Sequence, residues 1–249
     1  MEISPEILTI IALVFLVAGT IKGLIGIGLP TIAISLMSLV IDARLAITLT
    51  IIPMFASNIW QVYRGGKILE TLRKYWIFST LLIISIFCTA LISRSVSSDI
   101  ILIILGSVVT IYAILSLLKW APRIAAQHDP HAQTGFGLAA GILGGFTAIW
   151  APPLIIYLTS RQIPKDEFIR ATGMLITVGS TPLLFGYVQN GLLTPELATT
   201  ASLMTIPVLI GFIVGEFLRK YISTAKFHTI VLSIFAVMGA NLVYRGFFS

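Results

Sequence analysis

Lys22 stands at the end of an apolar run, directly before a glycine-rich stretch in which Gly23, Gly26 and Gly28 lead to Pro30. A lysine inside an apolar segment is costly, so it is expected to face a cavity or a partner, and anion binding is the chemistry it would serve. A side chain that snorkels to a headgroup is the competing reading. A second stretch of the same kind runs from Gly141 through Gly144, Gly145, Thr147 and Trp150 to Pro152 and Pro153. Glycine lets the backbone turn and proline suits the first position of a helix, so each stretch predicts helix, bend and second helix. A helix start exposes unpaired N–H groups and carries about +0.5 charge. Two such starts, at Pro30 and Thr31 and at Pro152 and Pro153, would hold an anion if they met at mid-membrane. The amides on offer are those of Ile27, Gly28 and Leu29, and of Ala148, Ile149, Trp150 and Ala151. The competing reading is that these glycines only allow close helix packing.

Neutral polar residues in the following apolar runs could complete the site. Asn58 and Gln61 lie three apart and share a helix face, with Ser57 beside them. Ser180, Thr181 and Gln189 occupy the comparable run of the second half. Amides and hydroxyls donate to an oxyanion without needing a counter-ion, although the same groups also serve helix-to-helix hydrogen bonds. Trp60 and Trp150 could wall the cavity or simply pack. Carboxylates are absent from the middle of every apolar run, so no carboxylate proton relay is expected. Glu216 comes nearest, with Arg219 one turn on as its expected partner. His128, Asp129 and His131 form a cluster of weak metal character, and the single Cys88 rules out an intramolecular disulfide and a cysteine zinc cage. Neither a catalytic Ser/His pair nor a His-Glu-x-x-His motif is present, so no enzyme, metal or cofactor is expected.

The elements that would position these residues are membrane helices. Of the 249 residues 57% are hydrophobic and only 10% charged, against about 25% charged in a soluble domain. So apolar a chain cannot cover itself in water, which excludes a soluble enzyme, a disordered chain and a nucleic-acid binder despite the net charge of +6. The opening residues carry Glu2 and Glu6 rather than a basic leader, so the first apolar run is expected to be retained. Apolar runs fall near 7–22, 30–41, 44–63, 75–93, 99–118, 135–149, 152–160, 168–188, 197–217 and 227–244. Six are long enough to span, and the other four form the two broken pairs.

Each half has the same plan: a broken pair, a polar link, a span with an internal proline (Pro53 or Pro182) and two further spans. The reading is an all-α polytopic membrane protein of two inverted repeats, each a broken-helix hairpin plus three transmembrane helices. The repeats are 1–118 and 135–249, joined by a cytoplasmic linker at 119–134. If each broken pair returns to its own side, one side collects Arg64, Lys67, Arg73, Lys74, Lys119, Arg123, Arg161, Lys165, Arg170, Arg219, Lys220 and Lys226. The other side keeps Arg44, Arg94 and Arg245. The basic side is then cytoplasmic and both termini lie outside. Gly106 and Gly239, inside ordinary spans, are expected to tolerate alanine.

The stretch 23–30, the link Asp42, Ala43, Arg44, Leu45 and Ala46, the stretch 141–153, and Arg170, Ala171, Thr172 and Gly173 together resemble the TauE/SafE family of sulfite and organosulfonate exporters. The resemblance covers essentially the whole chain. It implies a multi-pass permease of the inner membrane of a bacterium or archaeon. The expected substrate is a small anion such as sulfite or a short organosulfonate, and the expected driving force is the substrate or a coupling ion, H+ or Na+. An anion channel or a non-transporting membrane subunit is the alternative. No nucleic-acid partner is expected, and the oligomeric state is open.

Overall fold

The computed structural model describes residues 4–118, 120, 122–218, 221 and 224–248, and all their side chains except at 64, 65, 165, 166, 169, 224–228 and 230. Among the described residues every regular element is helical. The helices are α1 (Pro5–Ile25), α2 (Leu29–Met37), α3 (Ala43–Gly65), α4 (Ile68–Lys74), α5 (Trp76–Ile92), α6 (Ser98–Leu117), α7 (Asp129–Thr147), α8 (Ala151–Ser160), α9 (Lys165–Gln189), α10 (Pro195–Leu218) and α11 (Thr224–Phe248). Ten of them match the ten apolar runs. The eleventh, α4, is a seven-residue helix whose Glu70, Arg73 and Lys74 hide it from a reading of apolar runs.

Seven helices among the described residues are long and apolar enough to span a membrane, where six were expected. The seventh is α1. Gly23 does not bend the chain; it stays helical because its bare Cα lies against Phe212, Gly215 and Glu216 of α10. Local chemistry sets the ends of α1: the Ser4 hydroxyl accepts from Ile7 N–H (3.4 Å), Pro5 opens the first turn, and Gly26 at φ +94° closes the last. The spans with the most internal shielding are those of α3 and α9, with 56% and 67% of the span buried against 28–39% for the other five. They are also the helices that carry Asn58, Gln61 and Ser180. Shielding from lipid is what lets a spanning helix keep such groups.

The chain forms two compact units that are not the sequence halves. The first comprises Met1–Ser57, Ser97–Leu117 and Thr194–Ser249. In it α1 runs parallel to α10, Gly19 against Val208 and Gly211 against Leu16 and Thr20. α6 and α11 run antiparallel, with Gly106 against Gly239 and Val243, and Gly246 against Asp99 and Ile103. Without a hydrophobic drive between helices in lipid, close backbone approach at small residues is what holds such pairs. This corrects the expectation for Gly106 and Gly239: a Cβ at Gly106 would come within 2.5 Å of Gly239 O, and one at Gly239 would meet Thr110 Oγ1.

The second unit comprises Asn58–Val96 and Leu118–Leu193. In it α5 runs parallel to α7, with Gly137, Gly141 and Gly145 against Phe78, Ser85 and Thr89, and parallel to α9, with Gly179 and Gly186 against Ile86 and Ala90. The first helix of each broken pair, α1 or α7, therefore packs on a straight helix from the other sequence half.

One end of the second unit is fastened by a polar network. Asp129, opening α7, accepts from Tyr157 Oη (2.9 Å) and pairs with Arg161 Nε (2.7 Å) at the end of α8. The α7–α8 pair thus doubles back to the end it left. Gln133 Nε2 donates to Asp129 (2.9 Å) and to Lys74 O (3.2 Å), and Phe78 N–H donates to Gln133 Oε1 (3.2 Å). Glu167, at the start of α9, accepts from Tyr75 Oη (2.5 Å) and pairs with Lys74 Nζ (2.6 Å). Burial alone would raise the Glu167 carboxyl, but the hydrogen bonds from Lys74 and Tyr75 and the charges of Lys74 and Arg170 outweigh it and hold it below the usual range. The Tyr75 hydroxyl is raised, first by burial and then by that bond.

Lys74, Arg161 and Arg170 therefore gather where α5, α7 and α9 begin. Arg94 lies at the far end, where its Nη1 donates to Asn190 O (3.4 Å). Lys119, Arg219 and Lys220, and with Arg219 the expected Glu216 pairing, lie outside the described residues, as do the side chains of Arg64, Lys165 and Lys226.

Candidate functional site

The first break lies wholly in the first unit and is confined to residues 26–28. Gly26 N–H donates to Lys22 O (2.6 Å), the αL signature of a helix end, and Gly28 at φ +100° caps the start of α2. A side chain at either glycine would be strained whatever the space. Ile32 N–H returns to Gly28 O (3.0 Å). Among the described residues, the N–H groups of Ile27, Gly28 and Leu29 donate to no protein acceptor. Pro30 is half-buried in the first turn and Thr31 is buried beside it.

Lys22 is 2% exposed, the one Lys, Arg, Asp or Glu buried among the described side chains. Its Nζ donates to Ser57 Oγ (2.9 Å), and Ser57 Oγ donates to Met54 O (3.0 Å) on α3. Lys22 thus points into the first unit rather than out to a headgroup. Sequence spacing placed Ser57 only as a neighbour of Asn58; helix packing makes it the residue that meets Lys22.

The second break, in the second unit, turns on Ala148 at φ +56°, not on a glycine. Gly144 and Gly145 stay helical and serve packing: a Cβ at Gly144 would press on the Trp150 ring and Ile86, and one at Gly145 on Thr89. Two of the four amides expected here are already used. Ala148 N–H donates to Gly144 O (2.8 Å) and Ile149 N–H to Thr147 Oγ1 (3.1 Å), while the Thr147 hydroxyl itself donates to Leu143 O (2.7 Å). Trp150 and Ala151 keep open amides among the described residues, and Pro152 and Pro153 have none to give. Trp150 is buried against Gly144, Gly179 and Ile86, with no hydrogen-bond acceptor at its Nε1 among the described residues.

The remaining candidates separate. Asn58 is buried on α3, and Gln61 lies against Gly173 of α9. Ser180 is buried, its hydroxyl turned to Ile176 O (2.8 Å). Thr181 is exposed and lines an apolar groove of about 630 Å³ between α5 and α9, with Cys88, Pro182, Phe185 and Gln189. Asp129 is taken up by Tyr157, Arg161 and Gln133, and no group of three metal-binding side chains occurs among the described residues. That Gly173 admits Gln61 and Gly179 admits Trp150 is not legible in the sequence, because nothing local marks a glycine as a seat for a distant side chain.

No curated protein and no solved structure matches the chain. The family model described as sulfite exporter TauE/SafE matches residues 11–242, which takes in both breaks, helices α2 to α10 in full and most of α1 and α11. An all-helical chain with seven candidate spans, broken twice at glycine- and proline-bearing stretches, and matched over nearly its whole length, belongs to the TauE/SafE sulfite exporter family of membrane transporters.

Proposed function

We propose that this protein exports a small oxyanion, sulfite or a short organosulfonate, across the inner membrane of a bacterium or archaeon, with both termini outside the cytoplasm. Lys22 carries the reading: a lysine held away from water and lipid, one turn before a break whose amides of Ile27, Gly28 and Leu29 are open. A fixed cation and free N–H donors suit a small anion, and the family points to an oxyanion among these. Within the second unit the Trp150 and Ala151 amides are open, and Asn58, Gln61 and Ser180 are polar groups of the kind that orient an oxyanion. Thr181 fits this role least, since it is exposed beside apolar residues. Transport proceeds by alternating access, powered by the substrate or by a gradient of H+ or Na+, because the sequence holds no nucleotide motif.

The test is uptake into proteoliposomes from a panel of sulfite, sulfate, isethionate, sulfoacetate and malonate. Saturable flux of sulfite or a sulfonate is expected. Flux of none of the five would remove the reading, and channel-sized ohmic currents would replace the carrier with a pore.

A further inference from the structure

We propose that the face of α2 carrying Thr31, Ser35 and Ser38 is a hydrated track along which a small oxyanion and its water reach the first break. The inference rests on the transport reading above and names the route within the first unit. At 3.6 residues per turn these three positions fall within about 60° of one another. All are buried, at 3%, 0% and 1% exposure.

Hydroxyls buried in helices usually turn back to their own backbone, as Thr50 does to Ala46 O, Thr172 to Phe168 O and Ser180 to Ile176 O. Ser35 Oγ and Ser38 Oγ do not, and neither has a hydrogen-bond partner among the described residues. Ser79, Ser93 and Thr110 share that state but stand singly on their helices. Among the described residues only α2 with its C-terminal cap lines two such oxygens up with a third hydroxyl.

The ends of the row suit an anion. It begins at the break next to Lys22, and at its far end Arg245 Nη1 donates to Ser38 O (2.6 Å). The counterpart helix α8 has no such row: Leu154, Tyr157 and Leu158 fill its buried face, and Ser160 bonds Ile156 O. Hydroxyls that donate and accept in turn can replace the water shell of a passing oxyanion, whereas an apolar face cannot.

The experiment is labelling of single cysteines in a Cys88→Ala background with a small sulfonate-bearing methanethiosulfonate reagent. Thr31→Cys, Ser35→Cys and Ser38→Cys are compared with Ala33→Cys, equally buried on the opposite face, and Leu158→Cys on α8. Burial in apolar surroundings raises a thiol's pKa and each unit removes about tenfold of thiolate, so the track positions should react about tenfold faster or more. Should Ser35→Cys fail to insert, Ser38→Cys at the helix end carries the same comparison. Rates at Ser35→Cys and Ser38→Cys no faster than at Ala33→Cys would overturn the track, even in a protein that moves sulfite. Fast labelling in a protein that moves no anion would keep a wet track and remove the transport reading instead.

Discussion

Lys22 and Ser57, thirty-five residues apart, meet in the interior of the first unit at 2.9 Å, Nζ to Oγ. The bond sets the lysine's direction and joins the end of α1 to α3. Lys22→Gln keeps the size and a donor but loses the charge. Removing one partner of a buried charge pair costs about 2–5 kcal/mol, so apparent sulfite affinity should fall by at least an order of magnitude while the protein still inserts. Ser57→Ala, which removes a hydrogen bond to a charged group, should cost about 1.5–3 kcal/mol. Transport assays with both variants check this, and unchanged affinity in Lys22→Gln would take the lysine out of the site.

The two breaks should answer differently to substitution because one turns on glycine and the other on alanine. Gly28→Val forces a β-branched residue to φ +100° and should abolish transport. Ala148→Gly relieves a left-handed alanine at φ +56°, and should raise thermal stability in detergent by up to about 1 kcal/mol. A less stable Ala148→Gly would show that Ala148 makes contacts that outweigh its strain.

Gly106→Ala and Gly239→Ala should each destabilise by about 1–3 kcal/mol, since overpacked backbone contacts must separate. Gly135, helical with nothing within 4 Å of its Cβ position, is the matched control. Gly135→Ala should be neutral or stabilising by up to about 1 kcal/mol. Thermal unfolding of the three variants, side by side, decides whether α6 and α11 meet as closely as described.

Glu167 gives a pH signature. Its carboxyl sits below the ordinary value of 4.5 in the folded protein. The stabilisation it brings is therefore present at pH above that value and lost as pH falls through the folded-state value. Lys74 is 51% exposed, so solvent screening limits the effect to about 1 kcal/mol. Unfolding midpoints measured downward from pH 6 should fall more steeply for the native protein than for Glu167→Gln, and parallel curves would contradict the assignment.

The doubling back of α7 and α8 predicts labelling from one side. Gln127→Cys and Gln162→Cys, exposed at the start of α7 and just beyond α8, should react from the same face of the membrane. Glu196→Cys, one crossing of α9 later, should react from the other. In intact cells the first two should be shielded, since the proposed orientation puts the basic end of the unit in the cytoplasm. Labelling of Gln127→Cys from outside would end the inverted arrangement.

The sequence by itself determined what depends on neighbours along the chain. Hydropathy placed ten of the helices, and Gly26, Gly28, Pro30, Pro152 and Pro153 placed the two breaks, because backbone conformation and proline's missing N–H act within a turn or two. Family motifs in the same stretches pointed to anion transport. Tertiary structure decided what depends on surfaces far apart in sequence. Whether a glycine bends or packs is set by what lies against it, so Gly23, Gly144 and Gly145 became contacts while Ala148 became the turn. The grouping of α6, α10 and α11 with α1 and α2, the seat of Lys22 on Ser57 and the unpartnered hydroxyls of α2 follow from helix faces meeting in three dimensions. Periodicity shows which residues share a face; only packing shows what that face meets.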